Sequence, residues 1–145
     1  MEDPQQWPVY KWEGTWTDFN RKTLSLAGCR LLVRRACRQY GVKVPKVFAG
    51  PIKAKWAYYH SLKHHICLNT AAMNIAIALH EAAHAIVSRL SPRSTDHGPT
   101  FLGVYLDLLS EFYPASALYA SARRAHLRYD DKLLAQKKKA ARRRR

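Results

Sequence analysis

The segment Thr70–Leu90, TAAMNIAIALHEAAHAIVSRL, is apolar around most of its circumference yet carries two histidines and a glutamate near its centre. Ala71, Ala72, Ile75, Ile77, Leu79, Ile86 and Val87 predict a central, buried helix, with Asn69 or Thr70 as its cap. A helix apolar on nearly every side must be covered on nearly every side, so the rest of the chain has to fold around it. Burying His80, Glu81 and His84 without partners would be costly. Their spacing supplies a purpose. His80 and His84 stand one turn apart on the same face, so their ring nitrogens can converge on one ion, which suits tetrahedral Zn²⁺. Glu81 lies about 100° around the helix from His80, placed to reach a water rather than the metal. A carboxylate there can take the water's proton and pass it to a leaving amine.

A hydrolytic zinc site uses three protein ligands and keeps one position open. His97, 13 residues beyond His84, ranks first as the third ligand. Gly98 lets the backbone turn sharply behind it, and Pro99 suits the first position of a new helix. Phe101 anchors that helix in the core. Asp107 or Glu111 could serve instead, but both fall on the helix's polar face, with Gly103 and Ser110, away from the Phe101/Leu108 stripe. The metzincin spacing HExxHxxGxxH is absent, because Val87 and Leu90 occupy its glycine and third-histidine positions.

Around this motif the chain predicts an α+β fold. Residues 1–22 form an irregular arm rich in aromatics: Trp7, Tyr10, Trp12, Trp16 and Phe19. Thr23–Tyr40 has a helical stripe of Leu26, Cys29, Val33, Cys37 and Tyr40, with Arg30, Arg34 and Arg38 on a solvated face. Lys46–Ala49 and Lys53–Tyr59 predict short strands, His60–Lys63 a turn, and His64–Leu68 a third strand of a small, mainly antiparallel sheet. His64–Leu68 is expected at an exposed edge, where a peptide substrate pairs with His65, Ile66 and Cys67 by strand addition. His60, His64, His65 and His126 read as surface histidines. The helix opened by Pro99 runs to about Phe112 and stops at Pro114. Ala115–Gln136 is a final basic helical stretch, its basic helix domain spanning 115–136. Lys137–Arg145 is expected to be a disordered polybasic tail. The single core domain spans 23–114.

Of 145 residues, 25 are Lys or Arg and 10 are Asp or Glu, a formal net charge of +15. The last 24 residues hold 11 basic and 2 acidic side chains; the first 121 hold 14 and 8. Arg123, Arg124, Arg128, Lys137, Lys138, Lys139, Arg142, Arg143, Arg144 and Arg145 are therefore the candidate nucleic-acid contacts. Polyphosphate attraction of this kind is insensitive to base sequence, so the expected partner is non-specific DNA or RNA. Tyr119 and Tyr129 are too few as stacking platforms for base-specific reading. No apolar run approaches the roughly 20 residues of a membrane span. The acidic start Met1-Glu2-Asp3-Pro4 is no secretory signal, so intracellular residence is expected. Cys29 and Cys37 would lie about 12 Å apart on a helix, too far for a disulfide, and Cys67 leaves an odd count.

HEAAH, a loop and then HGPTF (His80–Phe101) resemble the SprT-like zinc metalloprotease family, which includes the Spartan DNA–protein crosslink proteases. The approach HHICLNTAAMNIAIALHEAAH also looks like that family's strand leading into its active-site helix. The likeness spans roughly Thr23–Phe112. It implies a zincin, minigluzincin-like core: an N-terminal helix, a small sheet with an edge strand, the HExxH helix, then C-terminal helices. It also implies one Zn²⁺ held by His80, His84 and His97, with Glu81 as the catalytic acid/base. The chain departs from bacterial SprT proteins in having no CxxC zinc ribbon.

The expected function is a zinc metallopeptidase that hydrolyses peptide bonds with a zinc-activated water and is brought to nucleic acid by its basic tail. The alternative is a non-catalytic nucleic-acid-binding protein whose zinc is structural. A monomer is expected.

Overall fold

A computed structural model describes residues 2–16, 23–50, 56–70 and 73–143. Among these the chain is α+β, with six helices and one three-stranded sheet. In order they are α1 (Gln6–Gly14), α2 (Leu26–Gln39), β1 (Lys46–Ala49), β2 (Tyr58–His60), β3 (His65–Leu68), α3 (Ile75–Leu90), α4 (Pro99–Leu109), α5 (Ala115–Arg124) and α6 (Lys132–Arg143).

Helix α3 is the centre of the molecule, flanked by α2 and α4 and by the sheet. It begins at Ile75 rather than at Thr70. Asn74 caps it, its side-chain oxygen accepting from the Ile77 N–H at 2.9 Å. The later start has a cause upstream. Asn74 is held extended by a bridge to Thr23, and the Leu24 N–H donates to the Met73 carbonyl at 3.1 Å. Ala71 and Ala72, placed in this helix by the sequence, lie outside the described residues, as do Phe19 and the Lys53 end of the second expected strand. Helix α2 and its C-cap Tyr40 bury Cys29, Val33, Cys37 and Tyr40 of the expected stripe, with Leu26 half-buried, and Arg30, Arg34 and Arg38 are exposed.

The sheet order is β1-β3-β2, with β1 parallel and β2 antiparallel to β3. The sheet is therefore mixed, not mainly antiparallel. The turn after β2 makes a hairpin with β3, while β1 arrives on β3's other side running the same way. β3 is consequently the interior strand, which corrects the expectation of an exposed edge at His65, Ile66 and Cys67. Its composition agrees: Ile66, Cys67 and Leu68 are all buried, as in a strand covered on both faces. His64 is outside β3, in a left-handed conformation at φ 49°, and it is buried rather than a surface residue. Its Nε2–H donates to the Lys43 carbonyl at 2.7 Å, and its Nδ1 accepts from Tyr59 Oη and Arg89 Nε.

Both chain ends depart from expectation. The arm contains α1, whose Val9 and Trp12 are buried, and Trp12 Nε1 donates to Ser121 Oγ at 2.9 Å. The C-terminal stretch is broken. α5 ends at Arg124, and a left-handed His126 (φ 58°) follows it, with the Leu127 N–H returning to the Ala122 carbonyl. The chain then crosses α4 at Gly103, where any Cβ would collide with the Asp130 carbonyl oxygen. Gly103 is thus a buried crossing point, not part of a solvated polar face. Helix α6 continues from Lys132 to Arg143, which corrects the disorder expected over 137–143. Leu133 is buried, and Lys137 pairs with Asp107 at 2.8 Å and sits over the Tyr40 ring. No helix among the described residues is long and apolar enough to cross a membrane.

Candidate metal centre

His80 and His84 project from successive turns of α3, and His97 meets them from the loop that precedes α4. Their Nε2 atoms form a nearly equilateral triangle: His84 to His80 3.2 Å, His84 to His97 3.2 Å, His97 to His80 3.3 Å. Tetrahedral zinc with Zn–N of about 2.0–2.1 Å separates its nitrogens by about 3.3–3.4 Å, so the triangle has the right size for one ion. Among the described residues no other three His, Cys, Asp or Glu side chains converge in this way. Local structure places His97. The Gly98 N–H closes a turn onto the Thr95 carbonyl at 3.0 Å, and Pro99 starts α4. Phe101 then packs against all three imidazoles, stacked on His84 at 4.4 Å between centroids.

Two carboxylates from the N-terminal segment orient the ligands. Glu13 Oε2 lies 3.0 Å from His80 Nδ1, and Asp3 Oδ2 lies 2.6 Å from His97 Nδ1. An ionised carboxylate only accepts, so each Nδ1 carries the hydrogen and each Nε2 turns a lone pair inward. Tyr105 Oη donates to the same Glu13 oxygen at 2.7 Å. Gln5 secures the segment: its Nε2 donates to the His97 and Arg128 carbonyls, and its Oε1 accepts from the Arg128 N–H at 2.6 Å. Sequence reasoning missed Asp3, Gln5 and Glu13. The available signal was weak, a few acidic residues scattered in an arm whose aromatics drew the attention.

The shifts at His84 and His97 favour the neutral imidazole that a metal needs, whereas that at His80 runs the other way. Burial, reinforced by His80 and His97, holds His84 well below the ordinary histidine range. Burial also lowers His97, against the opposing hydrogen bond from Asp3. For His80 burial again pushes down, but the charge and hydrogen bond of Glu13 outweigh it and the net shift is upward. Burial pushes the Glu81 carboxyl up to about 7, with His80 opposing and Glu13 adding to it. Glu81 is only 5% exposed, and its Oε2 has no hydrogen-bond partner among the described residues. That orphaned buried oxygen, beside a triangle of lone pairs, fits a site completed by a metal and water.

Glu81 also borders open space. One cleft of about 400 Å³ contains Glu81, His84 and His97 and is walled by Tyr10 of α1 and by Ala57, Tyr58 and Tyr59 at β2. A second, of about 700 Å³, contains His80 and Glu81. The Tyr10 ring stands at the rim, 5.1 Å from the His97 ring and 6.0 Å from that of His80.

His80, Glu81, His84 and His97 are thus brought together as the sequence placed them. The alternative ligands are elsewhere: Asp107 accepts from Tyr40 and Lys137, and Glu111 is bound to Arg35 and Gln39. His65, Ile66 and Cys67 have both main-chain edges occupied by β1 and β2, so they cannot pair with a substrate strand. The strand beside the cleft is β2. His60 and His65 are cross-strand neighbours without a third ligand, and His126 is exposed. Arg123, Arg124, Arg128, Lys138, Lys139, Arg142 and Arg143 are exposed as expected. Lys137 is turned inward to Asp107, and Arg144 and Arg145 lie outside the described residues. Comparison with known proteins returns no match: no family model, no curated protein and no solved structure is significantly similar to this chain.

Proposed function

We propose that this chain is a zinc-dependent endopeptidase of SprT-like type, whose basic C-terminal surface brings it to nucleic acid. The observation that carries the reading is the meeting of three inward-facing histidine nitrogens with the unpartnered Oε2 of Glu81 at an open cleft. His80, His84 and His97 would hold one Zn²⁺. Bound there, it would supply Lewis-acid polarisation of the scissile carbonyl and a lowered pKa for the attacking water.

The chain's own residues account for the rest. Glu81 takes the proton from water as its oxygen bonds to the carbonyl carbon. It returns that proton to the amide nitrogen as the C–N bond breaks, leaving a new carboxyl and a free amine. A carboxyl with raised proton affinity is suited to both halves of that exchange. Asp3 and Glu13 keep the ligand rings from rotating. Among the described residues β2 is an edge strand, so its outer side, rather than β3, offers main-chain groups to an extended substrate beside the cleft. A purely structural zinc would have no use for a buried glutamate facing a cleft, which weighs against the nucleic-acid-binding alternative.

Metal analysis combined with cleavage of an unfolded protein tests the proposal, with and without DNA. The wild type should bind one zinc and cleave. Glu81→Gln should keep the zinc and lose at least about 100-fold in rate. His97→Ala should lose most of its zinc. A chain that binds no zinc, or a Glu81→Gln variant that cleaves normally, would overturn the reading. Zinc binding without any cleavage would favour the structural alternative.

A further inference from the structure

The two clefts at Glu81 lie on opposite sides of it along α3. The 400 Å³ cleft extends toward the C-terminal end of the helix, past His84 to Ser88, Ser91, Ser94 and Asp96. The 700 Å³ cleft extends toward the N-terminal end, past His80 to Ala76 and Ile77, between Trp7 of α1 and Trp56 just before β2. Both clefts are bounded by Gln6, Tyr10, Ala57 and Glu81, so they adjoin at Glu81 as the two halves of a trough beside the candidate metal centre. The two halves differ in balance: Ser88, Ser91, Ser94 and Asp96 join Tyr58 and Tyr59 in the first, whereas Trp7, Trp56, Ala76 and Ile77 join Glu13, Asn69 and Asn74 in the second, whose exposed lining is mainly apolar.

The tryptophans make the difference consequential. Trp7 is 71% exposed and Trp56 is 72% exposed. Single exposed apolar residues are ordinary on protein surfaces. Two indoles facing one cavity, beside a reaction centre, are different, because a side chain entering between them would remove apolar surface of all three from water. A peptide whose scissile bond lies at Glu81 must place the residue on one side of that bond in this half of the trough. From this geometry we infer that Trp7, Trp56 and Ile77 form a specificity pocket for a large apolar side chain next to the scissile bond. The opposite half takes a small or polar residue. The inference rests on the peptidase reading and adds the substrate class to it: unstructured polypeptide with a bulky apolar residue at one cleavage-site position.

The test uses the zinc-loaded full chain and fluorescence-quenched peptides with a Gly/Ser frame that differ at one position, Phe, Asn or Lys. The Phe peptide should be cleaved with kcat/KM roughly tenfold above the Asn peptide. Trp7→Ala and Trp56→Ala should each shrink that ratio severalfold at unchanged zinc content, and Trp7→Phe and Trp56→Phe should retain most of it. Equal rates for the three peptides, a preference for Lys, or a Phe/Asn ratio unmoved in both alanine variants would overturn the pocket while leaving the peptidase reading intact. If none of the three is cleaved, the peptidase reading fails, and binding of the same peptides, read by tryptophan fluorescence, decides the pocket alone. A Phe-selective response lost in both alanine variants supports it; no selective response sinks it.

Discussion

The two ends of this chain invite opposite treatment from their composition, yet the structure reverses their importance. The N-terminal end carries little net charge and no motif, whereas the C-terminal end holds most of the excess basic charge. Both fold into helices against the same core. The N-terminal end reaches the candidate metal centre, through Asp3 to His97, Gln5 to the His97 carbonyl and Glu13 to His80. The C-terminal helix docks on α4 through Leu133 and Lys137 and leaves its remaining charge to solvent. What separates them is partner chemistry. A single carboxylate beside a ligand histidine determines which ring nitrogen is free, while a row of lysines in water determines little about the fold.

The strongest way to break this comparison is to remove the N-terminal carboxylates. Glu13→Ala should weaken zinc affinity by roughly 10- to 100-fold, because His80 loses the acceptor that fixes its tautomer and ring orientation. Asp3→Ala should act on His97 in the same way. Zinc competition titrations with a chromophoric chelator would measure both. Affinity within about twofold of wild type would mean that the arm merely covers the site. Removal of 132–143 should leave zinc affinity unchanged in the same titration, and a comparable loss there would erase the distinction between the ends.

A second test bears on how the C-terminal end is attached. Gly103→Ala places a methyl group against the Asp130 carbonyl, backbone on backbone, where neither side has a flexible end to move. The Asp130 N–H to Pro99 carbonyl bond and the Thr100 hydroxyl to Asp130 contact should be displaced with it. Overpacking of this kind costs about 1–3 kcal/mol, measurable as a lower denaturation midpoint. Because Pro99 directly follows the His97-Gly98 turn, some loss of zinc affinity should accompany it. A neutral Gly103→Ala would show that the 125–131 crossing is loosely held.

How much of this was legible beforehand follows from the range of each interaction. Two histidines and a glutamate within one helix are local, and periodicity alone puts them on their faces. His97 is legible because Gly98, Pro99 and Phe101 constrain the chain immediately around it. Strand order is not local. His65–Leu68 looks the same at an edge or an interior, and only the pairing of β1 on its second side decides. Asp3 and Glu13 come to orient the rings of His97 and His80 through contacts 94 and 67 residues apart in sequence. Helix over Lys137–Arg143 was not legible, because nine residues of nearly uniform charge, 137–145, suggest a solvated coil. Leu133 and Lys137 of α6, four apart, provide the one face that holds it down.

The smallest expected effect separates charge that merely counts from charge that is available. If the exposed row on α6 engages phosphates, each of Lys138, Lys139, Arg142 and Arg143 that makes a contact contributes about 0.9 to the slope of log affinity against log salt on duplex DNA. Substituting Lys138 or Lys139 by Gln should therefore flatten that slope by up to about one unit. Lys137 has the same formal charge but is committed to Asp107 at 2.8 Å and to the face of Tyr40 at 4.8 Å. Lys137→Gln should leave the salt slope unaltered and instead cost about 0.5–1 kcal/mol in the docking of α6, the ordinary range for a partly exposed pair. Duplex-binding titrations at several salt concentrations, alongside urea denaturation, read the two effects separately. A slope that falls equally for Lys137, Lys138 and Lys139 would mean that α6 lifts from the core when it meets nucleic acid, and the C-terminal end would then be as conditional a part of the fold as its composition first suggested.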